Sequence, residues 1–270
     1  MLLQRIITAV ILIVALLALL LFAPAFATVL VLTLAILAGA WEWSVFARPS
    51  ALWQRVAFVA LIAVLLAGAW SLRDHAHIQR AVLVGATCWW LLALLWLMLL
   101  PRLINRPIAA LAGILVLVPT FIGLLQLRLD WARGAEWTLF VLILVWAADT
   151  GAFAAGKTFG KHRLAPQVSP GKTWEGCFGG VLLAGVAALC GAWWFGEPRV
   201  SFLLLCLVTA VFSVIGDLTE SMFKRFAGVK DSGHMIPGHG GVMDRLDSIT
   251  AAVPVFALGL QLLGDPGAMP

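Results

Sequence analysis

Five carboxylates in the second half of this sequence are the side chains best placed to do chemistry. Asp149 lies inside an apolar run, Asp217 and Glu220 lie at the end of another, and Asp244 and Asp247 open a third. An ionised carboxylate at membrane depth is costly unless it is paired or hydrated, so such residues mark a functional site by default. Each of the two pairs has i, i+3 spacing, which places its members on one face of a helix. Paired oxygen donors at two helix ends suit a hard cation such as Mg²⁺.

A simpler interpretation applies to the last pair of acids. Asp244 or Asp247 would then cap the N-terminus of the helix that they open, and Arg245 would form an ion pair with one of them. The convergence of five acids beside a glycine-rich segment favours the metal site over this alternative.

Two basic and glycine-rich segments accompany the acids. PGHGG, residues 237–241, precedes a predicted helix start, where exposed backbone N–H groups bind anions. The segment SPGKTWEG, residues 169–176, contains GKT but is no Walker A motif, because Pro166 occupies the position that needs glycine. We predict phosphate binding for Lys172, Lys224 and Arg225, with contact to lipid headgroups as the alternative.

The elements that carry these residues are predicted membrane spans. The chain has 270 residues, of which 63% are hydrophobic and 11% charged, and its mean hydropathy is +1.03. Such a composition indicates an all-α, polytopic integral membrane protein. We predict nine helices, and expect the last to be short for a full crossing; they are 4–22, 26–46, 53–72, 81–100, 107–126, 137–155, 174–195, 200–220 and 246–263.

Charge bias predicts the orientation of these spans. With the N-terminus inside, the inner segments hold 13 of the 18 Lys and Arg residues and the outer segments hold 5. Cytoplasmic loops are enriched in Lys and Arg, so we expect a cytoplasmic N-terminus and two cytoplasmic polar loops, 156–173 and 221–245. The net charge of +5 follows from this bias and does not indicate nucleic-acid binding. We expect a scaffold in residues 1–136, which contributes lipid or oligomer contacts, and a catalytic region in residues 137–270.

The residues alone therefore predict a pocket at the cytoplasmic face that holds a divalent cation and phosphates. Those features are typical of phosphoryl or nucleotidyl transfer to a lipid.

A family resemblance sharpens this prediction. The segment SMFKRFAGVKDSGHMIPGHGGVMDRLD, residues 221–247, resembles the signature of the phosphatidate cytidylyltransferases, and DTGAFAAGKTFGKHRLAPQVSPGKTWEG, residues 149–176, is similar to the bacterial enzymes. The resemblance implies a Mg²⁺-dependent reaction of CTP with phosphatidic acid that gives CDP-diacylglycerol and pyrophosphate. It also implies a multi-pass protein of the bacterial inner membrane, in contact with membrane lipids, and it allows a homodimer.

The resemblance assigns roles to individual residues. Asp217 and Asp244 would be metal ligands, with Asp247 and Asp149 as supporting acids or ligands of a second cation. Lys172, Lys224 and Arg225 would hold phosphates, and the PGHGG loop would hold the triphosphate. The candidate substrate-binding residues are Asp149, Ser169, Thr173, Ser221, Lys230, Asp231, His239, Gly240, Gly241 and Arg245.

Two other classes of protein stay open on the sequence. A CTP-dependent kinase of polyprenol-type lipid alcohols would share much of this site, but it would release CDP instead of pyrophosphate. A cation-coupled transporter would also place acids in the membrane. Transporters usually carry such features in both halves of an inverted repeat, whereas the five carboxylates of this chain's candidate site all fall in its second half.

Overall fold

Nine α-helices account for most of the protein. A computed structural model describes residues 2–236, 238 and 240–264, without the side chains of residues 2–6 and 9. Within this part of the chain the helices are α1 Leu2–Phe22, α2 Ala25–Trp43, α3 Leu52–Ser71, α4 Ala76–Leu99, α5 Arg106–Leu129, α6 Gly134–Phe159, α7 Trp174–Phe195, α8 Arg199–Ala227 and α9 Met243–Leu263. A 3-10 helix, Ser44–Ala47, follows α2.

The predicted all-α membrane architecture is confirmed. Eight helices, α2 to α9, are long and apolar enough to cross a membrane, and in α1 the apolar stretch within the described residues is Val10–Phe22. The expectation of a short last helix is wrong. Helix α9 begins at Met243 and has 21 residues, because Met243 is buried against protein and the polar groups of Asp244 are hydrogen-bonded there.

A small antiparallel hairpin lies between α6 and α7, where the sequence predicted only a loop. Its strands are β1 Arg163–Ala165 and β2 Ser169–Thr173, with Arg163 opposite Thr173 and Ala165 opposite Ser169. Thr173 ends β2 and caps α7, since its hydroxyl accepts a hydrogen bond from the Gly176 N–H at 3.1 Å. The hairpin is therefore fixed directly to the start of α7.

Helices α6 and α7 approach each other very closely. A methyl group on Gly151 would lie 2.5 Å from the carbonyl oxygen of Gly179, and one on Gly180 would lie 2.7 Å from that of Ala148. Small residues allow this kind of backbone contact between membrane helices. The contact holds the hairpin that joins the two helices beside the C-terminal end of α6.

Helices α8 and α9 are joined by a similar close approach. A methyl group on Gly216 would lie 2.5 Å from the carbonyl oxygen of Asp247. Asp217, the next residue on α8, is thereby held beside the first turns of α9.

Helices α5 and α9 form the centre of the bundle. In each, 67% of an apolar stretch is buried, compared with 11% in α3. The two helices are linked by a hydrogen bond from the Thr120 hydroxyl to the Thr250 carbonyl oxygen at 3.0 Å. Because α2 and α5 both pack on α9, the helices of the N-terminal region contact the helix that carries Asp244 and Asp247.

Candidate active site

A cleft of about 410 Å³ opens where α6, the hairpin, α7 and α8 meet. Its walls combine acidic, basic and small side chains, and α6 and the hairpin supply most of them. The lining residues are Asp149, Ala152, Phe153, Gly156, Lys157, Leu164, Gly171, Lys172, Thr173, Gly176, Cys177, Val214 and Asp217. Four of the predicted site residues therefore line one cavity from three separate elements: Asp149, Lys172, Thr173 and Asp217.

Lys172 and Asp217 form an ion pair across this cleft. The lysine comes from β2 and the aspartate from α8, and their side chains are 26% and 27% exposed. Ser221, one turn further along α8, donates its hydroxyl hydrogen to Asp217 at 3.4 Å. Lys172 can exchange its carboxylate partner for a phosphate because both side chains keep access to solvent.

Asp149 connects the cleft to α9. Its carboxylate oxygen Oδ1 accepts a hydrogen bond from the Ser248 hydroxyl at 3.4 Å. Asp149 and Asp217 line the same cleft, and Ser248 follows Asp247 directly. The acids of α6, α8 and α9 are thereby brought to one end of the bundle, as the sequence predicted.

Lys224 lies between two carboxylates on the buried side of this cluster. Its Nζ is 2.7 Å from Oε2 of Glu220 and 2.9 Å from Oδ1 of Asp244. The three side chains are 12%, 1% and 9% exposed, respectively. The structure thus pairs Lys224 with acids of α8 and α9, whereas the sequence predicted that it holds a phosphate.

Asp244 is held by donors on all sides. Beyond Lys224, its carboxylate accepts hydrogen bonds from the Gly241 N–H at 2.8 Å and from the Ser232 N–H at 3.0 Å. The N-cap of α9 is Val242, which makes no side-chain cap. Asp244 is therefore the second residue of α9. The alternative that Asp244 or Asp247 is the N-cap of this helix is wrong.

Asp247 and Glu220 belong to α9 and α8, which approach closely where Gly216 meets the Asp247 carbonyl oxygen. Asp247 accepts from the Ser248 N–H at 2.7 Å, and Oε1 of Glu220 is a buried atom without a hydrogen-bond partner among the described residues. Burying a carboxylate oxygen without a partner costs free energy. The unpartnered oxygen of Glu220 fits a nearby bound cation.

The remaining candidate residues have varied surroundings. Arg225 donates from Nε to the Val168 carbonyl oxygen at 3.1 Å and so connects α8 to the hairpin turn. Gly240 has a φ of +84°, a conformation that favours glycine. Ser169 begins β2, Lys230, Asp231 and Arg245 are exposed, and Gly241 is buried. His239 lies outside the described residues, so its predicted substrate contact stays a prediction.

The described residues contain no group of three or more His, Cys, Asp and Glu side chains that is spaced to hold a metal ion alone. Mg²⁺ commonly binds through one or two carboxylates, while waters and substrate phosphates complete its coordination. The unpartnered oxygen of Glu220 fits that kind of site.

One polar residue of the site was missed from the sequence. Glu42, at the C-terminal end of α2, accepts hydrogen bonds from the Met243 N–H and the Ser232 hydroxyl. Glu42 could have been predicted as a site residue, because a lone acid in an apolar span marks a functional site for the same reason as Asp149.

Sequence comparison with known proteins identifies the family to which this chain belongs. Residues 3–263 match the Cytidylyltransferase family. A phosphatidate cytidylyltransferase of Haemophilus influenzae is 42% identical over 95% of this chain and 98% of its own length. One of Pseudomonas aeruginosa is 43% identical over 84% of both chains, and one of Staphylococcus epidermidis is 45% identical over 46% of this chain and 49% of its own. On these matches, the chain belongs to the Cytidylyltransferase family.

Proposed function

We propose that this chain is an enzyme that condenses CTP with phosphatidic acid and gives CDP-diacylglycerol and pyrophosphate. The observation that carries the proposal is its similarity to the enzymes of Haemophilus influenzae and Pseudomonas aeruginosa over 95% and 84% of its length. The cleft supports it, because a lysine able to pair with phosphate and two carboxylates meet there at one end of a membrane helix bundle.

In the proposed reaction an oxygen of the lipid phosphate attacks the α-phosphorus of CTP. A new P–O bond forms, the bond between the α-phosphorus and the bridging oxygen breaks, and pyrophosphate leaves with those electrons. The nucleophile is already an anion, so no protein base is needed. The work left to the protein is to place two anionic reactants in line and to screen their repulsion.

Lys172 is the side chain best placed to screen that repulsion. It lines the cleft and its carboxylate partner, Asp217, is partly exposed, so a phosphate oxygen can reach its ammonium group. Arg225 supports the turn of the hairpin that carries Lys172. In this proposal Lys224 aligns Glu220 and Asp244 and contacts a phosphate only if Asp244 releases it, and the glycine-rich loop provides backbone N–H groups for the triphosphate.

Mg²⁺ is part of the proposal, with Asp217, Asp244 and Asp247 as the candidate ligands. When bound, it would neutralise phosphate charge as a Lewis acid. The position of Asp217 and Asp247 in the acid cluster supports them as metal ligands. Asp244 would first have to exchange its bond to Lys224 for the cation, since its oxygens already accept hydrogen bonds from Lys224, Ser232 and Gly241. Asp149 is the candidate for a second cation.

The protein is a membrane protein, and we propose the bacterial inner membrane with the cleft facing the cytoplasm, where CTP is available. A homodimer is part of the same proposal. The helices of residues 1–136 would serve as scaffold and as contacts to lipids or to a second copy, since α3 and α4 expose many large apolar side chains.

The function is tested by product analysis with purified protein in detergent. Supplied with CTP, Mg²⁺ and phosphatidic acid, the protein is expected to release one pyrophosphate for each CDP-diacylglycerol formed. A lipid-alcohol kinase would instead release CDP when given a polyprenol. Turnover of a polyprenol with CDP release and no turnover of phosphatidic acid would replace the proposal with that alternative.

The orientation is tested by cysteine labelling in intact cells. We expect cysteine at position 161 or 230 to react with a membrane-impermeant reagent only after the inner membrane is opened, and cysteine at position 74 to react without this treatment. All three residues, Lys161, Lys230 and Asp74, are exposed, so reactivity reports the side of the membrane. The four native cysteines are replaced beforehand. Labelling of positions 161 and 230, but not 74, in intact cells would reverse the orientation.

A further inference from the structure

Glu42 is a buried acid that none of the proposed chemistry uses. It lies at the C-terminal end of α2, is 2% exposed, and is the only acidic residue in residues 1–73. Its oxygen Oε2 accepts hydrogen bonds from the Met243 N–H at 2.8 Å and from the Ser232 hydroxyl at 3.2 Å. Oε1, the other carboxylate oxygen, is buried without a hydrogen-bond partner among the described residues, so the bonds to Oε2 are what hold this carboxylate in place.

The first of these bonds caps α9 from another helix. The N-terminal N–H groups of a helix lack partners within the helix, and Val242 at the N-cap has no side-chain oxygen to offer. Glu42 supplies that oxygen to Met243, the first residue of α9, and places negative charge at the positive end of the helix. The start of α9, and with it Asp244, is thereby fixed relative to α2.

The second bond reaches Asp244 through Ser232. The Ser232 hydroxyl donates to Glu42 and accepts from the Asp244 N–H at 3.2 Å, while the Ser232 N–H donates to the Asp244 carboxylate at 3.0 Å. The Asp244 backbone and side chain are therefore both bonded to the residue that Glu42 holds.

Two glycines between α8 and α9 also pack on this carboxylate. Gly233 and Gly241 lie so close to Glu42 that a methyl group on either would overlap its oxygens. A larger residue at either position would therefore displace the carboxylate. Gly241, the last residue of the PGHGG loop proposed to bind the triphosphate, is thus packed on a side chain of α2.

We propose that Glu42 is a positioning residue for the reaction: it sets the place of Asp244 and of Gly241, the last residue of the PGHGG loop, without touching substrate. This inference rests on the proposed role of Asp244 and that loop in binding CTP. It gives the N-terminal region a part in the active site as well as in the scaffold.

Substitution of Glu42 should change the kinetics for CTP selectively. We expect Glu42→Ala to lower kcat/KM for CTP by roughly 10- to 100-fold, the usual cost of a displaced reacting group, while KM for phosphatidic acid stays at the wild-type value. Glu42→Gln keeps an acceptor oxygen and loses only the charge at the helix end, so a loss of about two- to fivefold is expected. A merely structural role predicts fewer folded molecules, with wild-type KM for CTP in those that remain.

Ser232→Ala provides an independent arm of the test, because it removes the link and leaves little space unfilled. It should reproduce the selective loss for CTP, and the Glu42→Gln/Ser232→Ala double variant should lose less than the product of the two single effects. Thr28→Val is the matched control, since Thr28 is a fully buried polar residue of the same helix whose hydroxyl, among the described residues, bonds to Leu19 of α1 and to Arg128. It should keep wild-type kinetics for CTP.

Two results would overturn the inference. One is wild-type kinetics for CTP in monodisperse Ser232→Ala or Glu42→Ala protein, and the other is independent, multiplicative effects in the double variant. A separate result would show that Asp244 has no role in binding CTP. In that case Asp244→Asn protein would keep wild-type kinetics for CTP, whatever the Glu42 variants do.

Discussion

Asp217→Asn is expected to lower turnover by about a hundred- to a thousandfold, the usual effect of removing one preorganised charged contact from a reacting centre. The asparagine keeps the volume of the side chain and an oxygen for the Ser221 hydroxyl, which donates to Oδ1 at 3.4 Å. It loses the charge that pairs with Lys172 across the cleft and that would bind Mg²⁺. The measurement is CDP-diacylglycerol formation by detergent-purified protein that elutes like wild type in size exclusion.

Magnesium titration separates the two functions of that charge. If Asp217 is a metal ligand, EDTA should silence the wild type until Mg²⁺ is restored, and residual turnover of Asp217→Asn should need a higher Mg²⁺ concentration. If it only orients Lys172, the Mg²⁺ requirement should be unchanged. Asp74→Asn removes an exposed acid at the opposite end of the bundle and should have wild-type activity. Full activity of Asp217→Asn, with no sensitivity to EDTA, would contradict its place in the mechanism.

The sequence predicted the helices and the end of the bundle where the site lies because both depend on simple physical constraints. Long apolar runs must be helical in a membrane, and a chain that crosses repeatedly returns alternate loops to the same side. Parity alone therefore brings residues 149, 172, 217 and 244 towards one face. The close packing of α6 on α7 was not predicted, since it depends on which glycines face each other.

The partners of the charged residues were harder to predict. Lys224 was assigned to a phosphate, although Glu220 stands four residues before it, a spacing that favours an ion pair on a helix. The sequence therefore contained enough information to predict the ion pair of Lys224 with Glu220. The bond to Asp244 could not be predicted, because it depends on the path of residues 228–242 between two helices.

Glu42 shows a different limit. The sequence shows Glu42 as a lone acid in an apolar span. Its partners are the Met243 N–H, 201 residues away, and the Ser232 hydroxyl, 190 residues away. Backbone N–H groups exist at every residue except proline, so a single sequence gives no sign of which of them a carboxylate will meet. The hairpin is similar, because strands of three and five residues are too short to show a clear alternation.

Lys224→Met is expected to be the most destabilising single change in the site. It removes the cation from between Glu220 and Asp244, whose side chains are 1% and 9% exposed. Breaking a buried ion pair by removing one partner costs about 3–5 kcal/mol, because the other charge is left uncompensated. Lys172→Met is the matched comparison: its pair with Asp217 is about a quarter exposed, and such pairs contribute about 0–1 kcal/mol. Thermal unfolding in detergent should therefore show a large loss for Lys224→Met and a small one for Lys172→Met.

A compensating substitution distinguishes stability from catalysis at Lys224. In Lys224→Met/Glu220→Gln the charge left uncompensated on α8 is also removed, so much of the lost thermal stability should return. Turnover should not return, because Asp244 still lacks the lysine that fixes its Oδ1 at 2.9 Å. A double variant with both stability and turnover restored would make Lys224 a structural residue only. A single Lys224→Met variant as stable as Lys172→Met would mean that this lysine does not stabilise the protein by neutralising Glu220 and Asp244.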